Sequence, residues 1–122
     1  MVIFLDTYAI IEIAAGNPSY KQYALNSGDG VATIFNLSEV YFYYLKNFGE
    51  KEAEKIYGVV KPLSVPIDDS IIKAAMRFKL AHQKKRYSIA DCIGYFTALK
   101  LNLKFLTGDY AFKYLENVEF VK

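Results

Sequence analysis

Four acids in the 122-residue chain, Asp6, Glu39, Asp91 and Asp109, are spaced so that distant segments could bring them to one place. Asp6 and Asp109 each follow an apolar stretch. Glu39 and Asp91 each stand three positions after a residue that can cap a helix, Asn36 and Ser88. Close carboxylates repel, and some must then take up protons at neutral pH. A divalent cation removes that difficulty. A set of acids without His or Cys suits Mg²⁺ or Mn²⁺ rather than Zn²⁺. The chemistry such a site supports is phosphodiester hydrolysis, in which one or two ions activate water and stabilise the leaving oxygen. A structural reading stands beside this one. Asn36-Leu37-Ser38-Glu39 and Ser88-Ile89-Ala90-Asp91 both resemble capping boxes, and Asp6 and Asp109 could be N-caps. Capping accounts for each acid singly, but it does not require all four to share a rim.

The elements that would position these acids follow from apolar periodicity and stop signals. Residues 2–6 read as a buried strand. Residues 7–15 read as a helix closed by Gly16-Asn17-Pro18, and residues 19–26 as a short second helix. A turn at 27–30 leads to a strand at 31–34. Asn36 opens a helix to about Phe48, and residues 50–61 form another. Residues 63–67 read as a strand with Pro66 at its end, and Asp68 or Asp69 caps a helix to about His82. Ser88 opens a helix to about Leu101. Residues 103–106, 109–115 and 118–121 read as strand, short helix and strand. This alternation implies βαβ units, an α/β fold and a mainly parallel sheet. Such sheets bind ligands beyond the carboxyl ends of their strands, where the four acids are expected to converge.

Hydrophobic residues make up 53% of the chain and charged residues 23%, the balance of a globular protein able to bury a core unaided. No repeat or linker divides the chain, so residues 1–122 are expected to form one domain. No apolar run is long enough for a transmembrane helix. The segment Met1 to Asp6 has no basic leader and meets a carboxylate too early for a secretory signal, which makes a cytoplasmic location the expectation. The single cysteine, Cys92, excludes an internal disulfide, and the single histidine, His82, leaves little for nucleophilic triads. A net charge of +2 says little about partners.

Four segments resemble the motifs of PIN domains. They are Leu5-Asp6-Thr7, then Asn36-Leu37-Ser38-Glu39-Val40, then Ser88 to Ala98 around Asp91, and finally Phe105-Leu106-Thr107-Gly108-Asp109-Tyr110-Ala111-Phe112. Their order, their spacing and the chain length extend the resemblance over essentially the whole sequence. It implies a three-layer α/β/α sandwich around a short, mainly parallel sheet. It also implies a Mg²⁺- or Mn²⁺-dependent endoribonuclease, with Asp6, Glu39, Asp91 and Asp109 as catalytic and metal-site acids. Thr7 and Thr107 would be supporting hydroxyls, and the products would carry 5′-phosphate and 3′-hydroxyl ends. Single-domain members of this size are often the toxin of a VapBC-type toxin–antitoxin pair, which implies an RNA substrate, a cognate antitoxin and a homodimer. Cys92 and Gly94 depart from the alanine-like residues usual after the third acid. Gly94 costs about 1 kcal/mol relative to Ala within a helix and could admit a close neighbour or a substrate.

Lys84, Lys85 and Arg86, with Tyr87, read as a polar connection before the Ser88 helix, and the three basic residues have two readings. They read either as RNA phosphate contacts or as a solvated loop. Val40-Tyr41-Phe42-Tyr43-Tyr44-Leu45 is unusually apolar for a helix that carries Glu39, which fits core packing, a protein interface or base stacking. Cys92 reads as a small core residue, His82 as a helix-end residue and Glu12 as solvated. The competing functional reading is a catalytically silent PIN-like module that binds RNA or protein. A phosphate-accepting receiver domain would need paired acids at the first strand, which Leu5-Asp6-Thr7 does not supply.

Overall fold

A computed structural model describes residues 1–122. The strands are β1 (Ile3–Leu5), β2 (Gly30–Val31), β3 (Phe105–Thr107) and β4 (Val118–Phe120). The helices are α1 (Thr7–Ala15), α2 (Ile34–Phe48), α3 (Glu50–Val60), α4 (Asp69–Ala81) and α5 (Ile89–Lys100). The four strands form one all-parallel sheet in the order β2-β1-β3-β4.

The register explains the layers. Phe4 pairs with Phe105, and Leu5 with Leu106. Successive residues of a strand face opposite sides, so the two phenylalanines point one way and the two leucines the other. Phe4 and Phe105 stack with centroids 5.5 Å apart and join Ile71 and Ala75 of α4 and Ile93 and Ala98 of α5. Leu5 and Leu106 join Ile10 of α1, Leu37 and Val40 of α2, and Ile56 of α3. The chain is therefore the expected three-layer α/β/α sandwich. Each fully buried Phe or Leu contributes about 1.5–3 kcal/mol. Gly94 serves this packing rather than a substrate, because a Cβ there would lie 2.9 Å from the Phe4 ring.

Several elements differ from the sequence expectation. Residues 19–26 form no helix. Pro18–Tyr20 make a single 3₁₀ turn capped by Asn17, whose side chain accepts from the Ser19 amide. Residues 63–67 form no strand. Only an isolated bridge pairs Ser64 with Ala32, and Pro66 has no amide to extend the ladder. Helix α2 begins earlier than expected because Thr33, not Asn36, is its cap. Residues 109–115 shrink to a 3₁₀ turn, Tyr110–Phe112. No helix is long and apolar enough to cross a membrane.

Candidate active site

Asp6 occupies the N-cap position of α1 but makes no capping hydrogen bond. It is only 2% exposed. Its Oδ2 accepts from the Thr107 hydroxyl at 2.7 Å, while its buried Oδ1 has no partner. A buried carboxylate oxygen left unpaired is costly. Burial, followed by the charge of Asp91, raises the Asp6 carboxyl from 3.8 to about 8. Thr107 is itself fully buried and accepts from the Asp109 amide at 3.1 Å. One hydroxyl thus joins the acid after β1 to the acid after β3.

Glu39 is held from the other side of the rim. Its Oε1 accepts from the Thr7 hydroxyl at 2.8 Å, and Thr7 accepts from Asn36 Nδ2 at 3.1 Å. The buried Asn36 side chain in turn accepts from the Thr33 amide and hydroxyl, at 3.0 and 2.9 Å, closing the capping box of α2. Asn36 is therefore not the cap expected from sequence. It locks the start of α2 and orients Thr7. The Thr-x-x-Asn spacing at 33–36 was the signal for it.

Asp91 does close a capping box as expected. Its Oδ2 accepts from the Ser88 amide at 2.8 Å, and its own amide donates to Ser88 Oγ at 3.0 Å. Burial, against the opposing Ser88 contacts, and the charges of Glu39 and Asp109 raise its carboxyl to about 6. Asp109 caps the 3₁₀ turn, with Oδ1 accepting from the Ala111 amide at 2.9 Å. Asp91 and Asp109 thus have capping duties, whereas Asp6 has none. The charges of Asp91 and Glu39 help raise the Asp6 carboxyl, and those of Glu39 and Asp109 the Asp91 carboxyl.

Sequence reasoning missed Tyr87, which it assigned to a polar connection. Tyr87 is 3% exposed, and its hydroxyl donates to the Ala111 carbonyl at 2.6 Å, tying the start of α5 to the turn that carries Asp109. The signal was its place just before the Ser88 cap, where an apolar residue packs against the fourth helical residue, here Cys92. Both lie in the same core cluster. Cys92 is fully buried, and burial raises its thiol to about 11, so it is inert. His82 stacks on Phe78 and bonds its carbonyl at the end of α4. Lys84, Lys85 and Arg86 are exposed, and Arg86 adopts a left-handed conformation at φ 57°. Glu12 is half-buried on α1 rather than fully solvated.

The donor set on the rim is all oxygen, as a hard divalent ion requires. The unpaired Asp6 Oδ1 and the raised Asp6 and Asp91 carboxyls are what such an ion would relieve. No three of these side chains close into a group that encloses an ion unaided. Mg²⁺ commonly uses only one or two carboxylates and keeps several waters, so the residues fit it. From Thr7 and Glu39 a groove of about 680 Å³ runs past Ile11, Phe42, Tyr43 and Lys46 along α1 and α2.

The sequence matches the PIN domain family model over residues 3–118. The chain belongs to the PIN domain family. PIN domains are generally nucleases, and those nucleases typically use divalent metals. Among solved structures, this PIN domain is similar to a chain titled as a toxin–antitoxin complex from Klebsiella pneumoniae. The two share 17% identity with a TM-score of 0.69, over 96% of this chain and 95% of that one, a likeness of fold. No curated protein matches this PIN domain.

Proposed function

We propose that this PIN domain is a Mg²⁺- or Mn²⁺-dependent endoribonuclease, the toxin of a VapBC-type toxin–antitoxin pair, acting in the cytoplasm as a single unit over residues 1–122. The observation that carries the reading is Asp6, a buried carboxylate with one orphaned oxygen pressed against the charge of Asp91. Asp6, Glu39, Asp91 and Asp109 would hold the ion. When bound, it supplies acidified water and neutralises charge on the phosphate and the leaving oxygen. The chain's own residues do the rest. Thr107 fixes one oxygen of Asp6, and the Thr33–Asn36–Thr7 relay fixes Glu39. A carboxylate of this set accepts the proton of the attacking water. Attack at phosphorus breaks the bond to the 3′ oxygen, which leaves as a hydroxyl, and the phosphate stays on the 5′ side. Lys84, Lys85 and Arg86 are the proposed phosphate contacts at the start of α5.

The partner reading rests on α2, where Phe42 is 66% and Phe48 59% exposed. Such a face fits the apolar side of an antitoxin helix or a second copy. The test of the activity is cleavage of single-stranded RNA in Mg²⁺ and Mn²⁺. Asp6→Asn and Asp91→Asn should each lower cleavage by more than about a hundredfold, with the fold kept by circular dichroism, and excess chelator should do the same to the wild type. Undiminished cutting in either variant contradicts the reading. The open spacing of the acids favours one alternative, a silent module that binds RNA or protein without cutting. RNA retained but never cut across both metals would select it.

A further inference from the structure

Just past Asp109, the surface carries aromatic rings that the core does not use. Tyr114 is 90% exposed and Tyr110 61%. Phe120, at the end of β4, lies against Tyr110 with centroids 5.3 Å apart. Two ammonium groups sit among these rings. Lys113 Nζ is 5.2 Å from the Phe120 centroid and 5.7 Å from those of Tyr110 and Tyr114. Lys122 Nζ is 4.5 Å from the Tyr110 centroid and 4.9 Å from that of Tyr8, and it donates to the Gly108 carbonyl at 3.1 Å. Neither lysine pairs with a carboxylate. Glu119 projects to the opposite face of β4 from Phe120, toward the cavity that Met1 and Lys104 line.

We propose that Tyr110, Tyr114 and Phe120, with Lys113 and Lys122, form a stacking platform that holds single-stranded RNA beside the acidic rim. The proposal rests on the nuclease reading and adds how the substrate is held. Exposed ring faces stack bases without regard to sequence, and amines between them meet phosphates. Both features occur here on one patch, and Asp109 directly precedes its first ring. An apolar protein helix laid over the patch would desolvate two unpaired ammonium groups. A phosphate chain supplies the missing counter-charge.

The test uses the whole protein in chelator with a single-stranded RNA oligonucleotide containing 2-aminopurine, whose fluorescence is quenched by stacking. The wild type should quench it. Tyr110→Ala with Tyr114→Ala should lose the quench and about tenfold or more in affinity. Tyr114→Ala alone, at a side chain that supports nothing beneath it, should show part of that loss, and Tyr114→Phe should restore it. Lys113→Gln should weaken binding and flatten its salt dependence. Duplex RNA, its bases already stacked, should bind more weakly and ignore the tyrosine changes. Unchanged quench and affinity in the double variant would overturn the platform, as would equal losses with duplex. Loss of a co-expressed protein partner with RNA affinity intact would assign the patch to protein and overturn it too. Cleavage in Mn²⁺ separates the two readings. A wild type that cuts, matched by a double variant of equal KM, sinks the platform alone. A wild type that stacks RNA but never cuts sinks the nuclease reading alone.

Discussion

The two ends of the sheet both carry charge and a concave surface, yet they differ in kind. At the amino ends of the strands, a cavity of about 430 Å³ is lined by Met1, Asp29, Lys104 and Glu119 among others. Those charges alternate in sign and are exposed, and the Met1 ammonium lies 3.9 Å from Asp29. Such surface pairs contribute little and ask nothing further of a ligand. At the carboxyl ends, acids of one sign act on one another with no cation among them, and one is buried with an unpaired oxygen. That arrangement destabilises the protein by itself, and only a cation or protons relieve it. Concavity alone does not separate a site from a dent. Unbalanced, desolvated charge does.

The largest effect that could break this contrast is catalytic. Asp6→Asn should lower cleavage in a metal-dependent assay by more than about a hundredfold, while Glu119→Gln at the other end leaves the rate within about twofold. Comparable losses from both would erase the distinction. Next come the glycines at the two ends. A Cβ at Gly108 would lie 2.5 Å from the Val121 carbonyl and 2.3 Å from the Tyr8 ring, so backbone must move. At Gly30 the obstacle is the tip of the Leu5 side chain at 2.6 Å, which can turn aside. Denaturant melts should show Gly108→Ala destabilised by about 3 kcal/mol and Gly30→Ala by about 1 kcal/mol. Equal values would mean that both ends yield alike.

A pH experiment sharpens the comparison further. Folding raises the Asp6 carboxyl from 3.8 to about 8 through burial and the Asp91 charge, so the folded state binds its proton more tightly than the unfolded state does. The resulting stability is complete below about pH 4 and is lost as pH rises through about 8. Asp91, raised to about 6 by burial and its acidic neighbours, adds to the slope in the lower part of that window. In chelator, the thermal midpoint should fall between pH 5 and pH 8, and Mg²⁺ at pH 8 should recover it. Asp6→Asn should flatten most of the slope, and a profile unchanged by that substitution would refute the account. The smallest expected effect is at the amino end. Lys104→Ala should shift stability by no more than about 0.5 kcal/mol in the same melts.

The places of the acids in the fold were easier to read from the sequence than the contacts that hold them. Acids after apolar runs and the Ser88–Asp91 box are local patterns, and both lie where the spacing expects them. Helix α1 ends at Gly16, whose left-handed φ of 78° suits glycine. Strand lengths were overestimated, because a parallel strand ends where its partner does, and partners lie far away in the chain. Residues 63–67 failed for that reason, having only one bridge to Ala32. Asn36 was misread because its duty is set by Thr7, 29 positions earlier, and by Thr33, which looked like strand. Tyr87 was misread because a phenol among lysines and arginine looks solvated until Ala111 supplies a carbonyl to receive it.

Strand β3 lies second from one edge of the sheet but is reached only at residue 105 of the chain. It brings Thr107, the oxygen that steadies Asp6 and receives the Asp109 amide. During synthesis on the ribosome, the first three acids emerge before the part that unites them. A nascent chain lacking β3 has β1 as a bare edge and an Asp6 that nothing restrains. The pocket is therefore finished only once a strand encoded about a hundred residues after Asp6 has docked beside β1.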